Sequence, residues 1–223
     1  MEGVHYWDNQ DYSEKSLSAS FGYRHRSILQ SWGVMPFFEQ NWLGAPRYSK
    51  NYGISLDFRR ELTELWALSG SISHAQKRYT DDAVANRYNG YINGATISLS
   101  YQVKPNWVMF GGLEMSIDRA KDKSESSFRR GINIGSVWQI KDWGSRINVR
   151  YVKRDFRAEN FYFPDKKRQD HEYTANISIW NNKLQWKGFL PKLNYRYRNI
   201  HSNIPEFYSR QNSEWFVSVE KGF

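Results

Sequence analysis

Apolar and polar residues alternate one by one along almost the whole of this chain. That period of two belongs to strands with two unlike faces, because successive side chains on a strand point to opposite sides. Leu17, Ala19, Phe21 and Tyr23 interleave with Ser18, Ser20, Gly22 and Arg24, and Tyr52, Ile54, Leu56 and Phe58 with Gly53, Ser55, Asp57 and Arg59. The beat returns in Tyr91, Ala95, Ile97, Leu99 and Tyr101, in Trp107, Met109, Leu113, Met115 and Ile117, and in Ile132, Ile134, Trp138 and Ile140. It continues through Ile147, Val149 and Tyr151, through Tyr173, Ala175, Ile177 and Ile179, through Leu193, Tyr195 and Tyr197, and into Trp215, Val217, Val219 and Phe223. Residues 3–8, 31–40 and 66–77 repeat it more faintly, blurred by Gly, Pro36 and His74. The pattern predicts about twelve strands.

Composition narrows what those strands build. The 223 residues suit one β-domain, and 17% aromatics is too rich for disorder. Zero Cys removes disulfide scaffolds, thiolate metal sites, iron–sulfur clusters and cysteine nucleophiles together. No run approaches the ~18 apolar residues of a spanning helix, the longest candidates being stretches such as Val108 to Leu113. Met1 to Trp7 has no basic start and no apolar run of a secretory leader. Val4, Tyr6 and Trp7 instead read as a strand already under way, which predicts that the native start lies further upstream.

Two kinds of connection alternate between the strands. Brief ones are predicted near 25–31, 59–65, 102–106, 141–144 and 181–188, and longer polar ones near 9–15, 41–50, 78–87, 118–127, 156–169 and 199–212. Short and long in strict turn describe an up-and-down meander with unlike ends, as in outer-membrane barrels with tight periplasmic turns and longer outer loops. Period two alone leaves a water-soluble sandwich open as well. Three features favour the membrane. Tyr23, Tyr101, Trp107, Trp138, Trp143, Tyr151, Trp180 and Trp186 gather at strand ends, where interfacial girdles lie. The face opposite the apolar one carries Gly, Ser, Asn, Glu and Arg, as a wet lumen would. Trp215, Val217, Val219 and Phe223 close the chain as an apolar, aromatic-ended strand, the expected insertion signal for a barrel-assembly machinery. The expected fold is all-β, a transmembrane antiparallel up-and-down β-barrel over residues 1–223 in a cell outer membrane.

Several separated segments carry a resemblance. Trp186-Lys187-Gly188-Phe189-Leu190-Pro191-Lys192-Leu193-Asn194-Tyr195-Arg196-Tyr197, then His201-Ser202-Asn203-Ile204-Pro205-Glu206-Phe207-Tyr208-Ser209-Arg210, then Phe216-Val217-Ser218-Val219-Glu220-Lys221-Gly222-Phe223, resemble the carboxy-terminal end of the surface lipoprotein assembly modifier family. Tyr6-Trp7-Asp8-Asn9-Gln10-Asp11-Tyr12-Ser13, Gln30-Ser31-Trp32-Gly33-Val34-Met35-Pro36-Phe37 and Asp170-His171-Glu172-Tyr173 are similar to the same domain. The resemblance implies a Gram-negative outer-membrane protein that moves lipoproteins, such as transferrin- or haemoglobin-binding ones, to the cell surface. It implies a signal peptide and a periplasmic tetratricopeptide domain ahead of a fourteen-stranded barrel. Against that pattern this chain reads as a barrel truncated at its start, about twelve strands of an expected fourteen, without the periplasmic domain. Lys221 departs from the apolar or aromatic residue that many barrels place two positions before the terminal Phe.

The residues offer little to an enzyme. His5, His25, His74, His171 and His201 include no pair at metal-binding spacing, and Asp170-His171-Glu172 reads as a solvated strand end rather than a proton-transfer group. No catalytic, cofactor or metal site is predicted. The net charge of +9 is spread rather than clustered, which argues against a nucleic-acid partner. Lys166-Lys167-Arg168 is predicted in an outer loop within reach of lipopolysaccharide phosphates, making outer-membrane lipid an expected partner beside lipoprotein clients and the assembly machinery. Glu114, Arg146, Arg150, Arg196 and Arg198 are predicted to face the lumen, the arginines either lining a polar path or, the favoured reading, pairing with acids such as Glu114, Glu172 and Glu220. The seam where the last strand, Ser213 to Phe223, meets the first is the weak line of such a barrel, since unpaired backbone facing lipid is costly. A translocation component is the leading expectation, and a passive porin-type channel with a basic lumen the alternative.

Overall fold

A computed structural model describes residues 2–4, 14–43, 46–160 and 162–221. They form one antiparallel meander: β1 (Glu2–Val4), β2 (Glu14–Ser20), β3 (Tyr23–Arg26), β4 (Gln30–Leu43), β5 (Arg47–Glu61), β6 (Trp66–Tyr79), β7 (Gly90–Lys104), β8 (Trp107–Ala120), β9 (Ser127–Ile140), β10 (Trp143–Asn160), β11 (Phe163–Asn181), β12 (Phe189–Ser202) and β13 (Arg210–Lys221). β2 and β3 are two halves of one strand, both paired to β4, so the segments fill twelve positions, each beside its sequence neighbour. Among the described residues the end strands β1 and β13 each have a single partner. Residues 5–13, with the Tyr6 to Ser13 motif, and Phe223 of the terminal signal lie outside the described residues.

The break between β2 and β3 has a local cause. Pro36 lies opposite it on β4, and Phe21 donates its N–H to the Pro36 carbonyl at 3.3 Å. The return bond is impossible because proline has no N–H. The faint patterns at 31–40 and 66–77 are nonetheless full strands of 14 residues each.

Along each strand the faces are inverted relative to a soluble protein. Leu113, Met115, Ile132, Ile134 and Val149 point outward, Ile132 and Ile134 at 55% and 59% exposure. Asn194, on the opposite face, keeps 8%. Apolar residues outward and polar residues inward are the pattern of a membrane barrel's wall. No helix of the described residues is long and apolar enough to cross a membrane, which is silent on strands. The sheet curls into an all-β barrel wall, and residues from β8 to β13 line one recess on its concave side.

The two ends differ. At one end the connections are tight, as the sequence predicts. Lys141 takes the left-handed conformation with φ 52°, and Lys187-Gly188 has positive φ at both positions between Trp186 and Phe189, which exchange backbone hydrogen bonds of 2.9 and 2.8 Å. Positive φ at both central residues is the hairpin geometry that matches strand twist. At the other end α1 (Asp82–Tyr88), a 3-10 turn (Lys123–Glu125) and α2 (Pro205–Tyr208) fill the longer connections.

Two expected long loops are strand instead. β4 runs to Leu43 and β5 begins at Arg47; β10 and β11 reach 18 and 19 residues and turn between Asn160 and Phe163. A span needs only about 9–11 residues, so the excess of β10 and β11 projects beyond the apolar band, and its polar composition resembles a loop. Lys166-Lys167-Arg168 therefore sits in β11, not in a loop, and Arg168 turns inward beside Asp170 at 2.7 Å.

The tightest packing lies at the helical end. Val152, Phe156, Ile200 and Ile204 are buried there with Ser127, Asp118 and Asp170. The guanidinium of Arg168 sits between the rings of Phe156 and Tyr208, 4.5 and 3.6 Å from their centroids, and Tyr208 accepts a hydrogen bond from Asn160 at 2.9 Å. Arg87 pairs with Glu125, tying α1 to the 3-10 turn. The Tyr88 hydroxyl donates to the same carboxylate at 3.3 Å, and burial, then that carboxylate, pushes its phenol up to about 12.

Candidate functional site: a charge-paired inner wall

Antiparallel register puts directly opposed residues on the same face. The inner face can therefore be followed from strand to strand. One row runs Glu114 on β8, Gly131 on β9, Val152 on β10 and Glu172 on β11. The next runs Gly112, Asn133, Arg150, Thr174 and Arg198, and the one below it Phe110, Gly135, Asn148, Asn176, Arg196 and Glu214. Glu114, Arg146, Arg150, Arg196 and Arg198 all lie on this face.

An acidic row above an arginine row lets charges meet diagonally. Arg150 grips Glu114 with two hydrogen bonds, the one through its Nε at 2.9 Å, and lies 3.6 Å from Glu172 on its other side. Glu172 in turn accepts two bonds from Arg198, at 3.0 and 2.9 Å. The result is an alternating chain, Glu114, Arg150, Glu172, Arg198, that ties β8 to β12. Bidentate pairs of this kind combine charge with fixed orientation.

The remaining partners differ in part from expectation. Arg196 pairs with Glu214 at 3.0 Å, an acid the sequence reading missed, and touches Asn176 at 3.3 Å. Glu214 lies directly opposite Arg196 on β13, so the strand register was the signal. Glu220 bonds Lys192 at 2.6 Å rather than an arginine, because its register places it beside β12 near Leu190. Arg146 has no carboxylate within ion-pair distance among the described residues; its guanidinium faces the Phe110 ring at 5.3 Å. That ring lies against Gly135, where a Cβ would come within 2.3 Å of it.

These groups enclose a recess of about 500 Å³, with Arg146, Arg150 and Arg196 among Asn133, Asn148 and Asn176. It offers amide donors and acceptors together with three guanidinium groups, of which Arg146 has no carboxylate partner among the described residues. Asp170, His171 and Glu172 do not form one constellation. Alternation sends both carboxylates inward, to Arg168 and Arg198, and His171 outward to the Tyr151 hydroxyl at 2.7 Å. Of the terminal strand, Trp215, Val217 and Val219 are exposed on the outer face, at 69%, 68% and 59%.

The whole chain, residues 1–223, matches the family model described as surface lipoprotein assembly modifier. It is 28% identical to surface lipoprotein assembly modifier 1 of Haemophilus influenzae, over 99% of this chain and 47% of that protein. It is 29% identical to surface lipoprotein assembly modifier of Pasteurella multocida, over 100% of this chain and 47% of that protein. A hemophilin secretion modulator of Acinetobacter baumannii is 23% identical over 99% of the chain and 44% of its own length. The chain thus spans about half the length of these relatives. Among solved structures, the ferric preacinetobactin receptor BauA of Acinetobacter baumannii aligns with 93% of the chain and 42% of its own at 10% identity and a TM-score of 0.41, too slight a likeness to carry an argument.

Proposed function

The chain belongs to the surface lipoprotein assembly modifier family, and on that premise we propose that it is an outer-membrane barrel delivering lipoproteins to the surface of a Gram-negative bacterium. The observation that carries the reading is the inversion of faces: apolar residues exposed outward over a wall whose inner face is polar and charge-paired. Such a wall is stable only between lipid and a wet interior.

Orientation follows from barrel convention, with tight turns toward the periplasm and the helix-bearing end outside. In that frame β13 runs inward to its carboxy-terminal end, and Trp215, Val217 and Val219 offer the assembly machinery an apolar edge. Inside, the Glu114 to Arg198 chain cancels its own charge, so the wall neither grips nor repels a passing polypeptide strongly. The asparagines supply donors and acceptors for a backbone, and Arg146 a counter-charge for acidic side chains.

The test is to express the full-length protein with its cognate surface lipoprotein and measure protease accessibility of the lipoprotein on intact cells. Exposure that requires the protein supports the reading. A correctly inserted barrel with lipoprotein exposure unchanged in its absence refutes it. The excess cation at Arg146 favours a second reading, an anion-biased channel, which predicts steady conductance in planar bilayers without any lipoprotein.

A further inference from the structure

Outside the lumen, one cleft of about 650 Å³ at the helical end gathers positive charge. Arg119, Lys121, Lys123, Arg157 and Lys167 line it, with Asp155 as the one acid among them. Arg119 follows Ile117 outward on β8, Phe128 faces outward on β9, and Asp155 follows Tyr151 and Lys153 outward on β10, so the cleft opens where the apolar band ends. Arg130 and Lys153 lie directly opposite each other just below it, 3.7 and 3.5 Å from Asp155, which they share. Lys121 bonds the neutral Asn86 at 3.2 Å and has no ion pair among the described residues. Arg119, Lys123, Arg157 and Lys167 have no ion pair among the described residues. Of the nearby acids, Asp122 and Glu125 are turned to Arg87, and Glu159 stands opposite Lys167 in the strand register.

Like charges held together repel unless an anion joins them. Phosphate does so well, because several cations reach its oxygens at once. The cleft has an apolar side, Phe128, and the exposed aliphatic side chains of β8 and β9 continue directly below it. A ligand that fits both parts carries phosphate on a head group and acyl chains beneath. We propose that this cleft binds the phosphorylated head group of a glycolipid of the lipid A type in the outer leaflet. The inference rests on the outer-membrane placement with the helical end outside.

The experiment has two arms. Residues 1–223 contain no Cys, so K123C adds one thiol to this barrel, and an impermeant maleimide on intact cells, compared with the parent protein, tests the placement alone. Labelling is expected; its absence, with labelling restored in lysed cells, overturns the orientation and the inference with it. In the second arm the protein purified from outer membranes in detergent is titrated with bisphosphorylated lipid A, dephosphorylated lipid A and inorganic phosphate, read by native mass spectrometry. Tight binding of the bisphosphorylated form is expected, with R119A/K123A/R157A weakening it at least about tenfold and R119K/K123R/R157K retaining it. The charge-conserving variant and a loss of binding with added salt keep the test valid if the alanine variant misfolds. Equal binding of dephosphorylated lipid A, an unaffected alanine variant that folds, or inorganic phosphate bound as tightly as lipid A would each overturn the proposal.

Discussion

Arg150 reaches Glu114 across an entire intervening strand, and the residue lying between them on β9 is Gly131. A Cβ there would stand 3.0 Å from the Glu114 side chain and 2.8 Å from both Val152 and the Tyr151 carbonyl. The missing side chain is what allows the carboxylate to lean over the strand. The ion pair and the glycine are one feature.

That coupling is measurable. In a double-mutant cycle of E114Q and R150Q, read by thermal unfolding in detergent, an interaction of about 1–2 kcal/mol is expected, since both groups are half-buried and doubly hydrogen-bonded. Additive effects of the two substitutions would contradict the geometry.

Glycines on the two faces are expected to behave differently. G135A pushes against Phe110 and the Ile147 carbonyl, 2.6 Å away, and is expected to destabilise by about 1–3 kcal/mol. G111A faces outward with its nearest neighbour, the Asn133 carbonyl, at 3.5 Å, and is expected to stay within about 0.5 kcal/mol of the parent. Gel mobility of unheated against heated protein, with the unfolding temperature, separates the two.

Charge placement tests the membrane face directly. I134R puts a cation in the apolar band, at a site 59% exposed, and is expected to cost about 2–4 kcal/mol of insertion. N133R, one residue away on the inner wall, is expected to insert normally. Comparing folded protein recovered from outer membranes decides between them, and equal recovery would count against a lipid-facing band.

At the helical end, Tyr88 gives a pH signature. Its phenol, raised to about 12 chiefly by burial and then by Glu125, favours the neutral form in the folded state. The sign follows: the stabilisation is fully present below the ordinary tyrosine value of about 10 and is lost as pH rises through about 12. A tyrosinate absorbance titration of the protein minus that of Y88F is expected to show one phenol ionising near 12. A difference curve centred near 10 would place Tyr88 in open solvent.

The strands and their inward and outward faces are legible because period two survives wherever an apolar outer face backs onto a polar inner one. Glu114, Arg146, Arg150, Arg196 and Arg198 could be assigned to one face from parity alone. Their partners could not. Glu214 and Lys192 became visible only through register, which depends on which residue opposes which across a turn. The hairpin of β10 and β11 reads as a loop in the sequence because beyond the apolar band its residues are mostly polar, so alternation fades while backbone pairing continues. The cation cleft was hidden for a similar reason: Arg119 and Lys123 lie more than thirty residues from Arg157 and Lys167, and only the pairing of β8 through β11 brings the two groups together.

The proline on β4 sets where this wall would tear. A hydrogen-bonded antiparallel rung is normally fastened twice, but opposite Pro36 it is fastened once, and the partner strand is already severed at that point into β2 and β3. Like a perforated line in paper, such a row needs no extra cut to begin parting. Under a pull across the sheet, the segment from β1 to β3 would peel from β4 while the strands from β4 to β13 stayed joined.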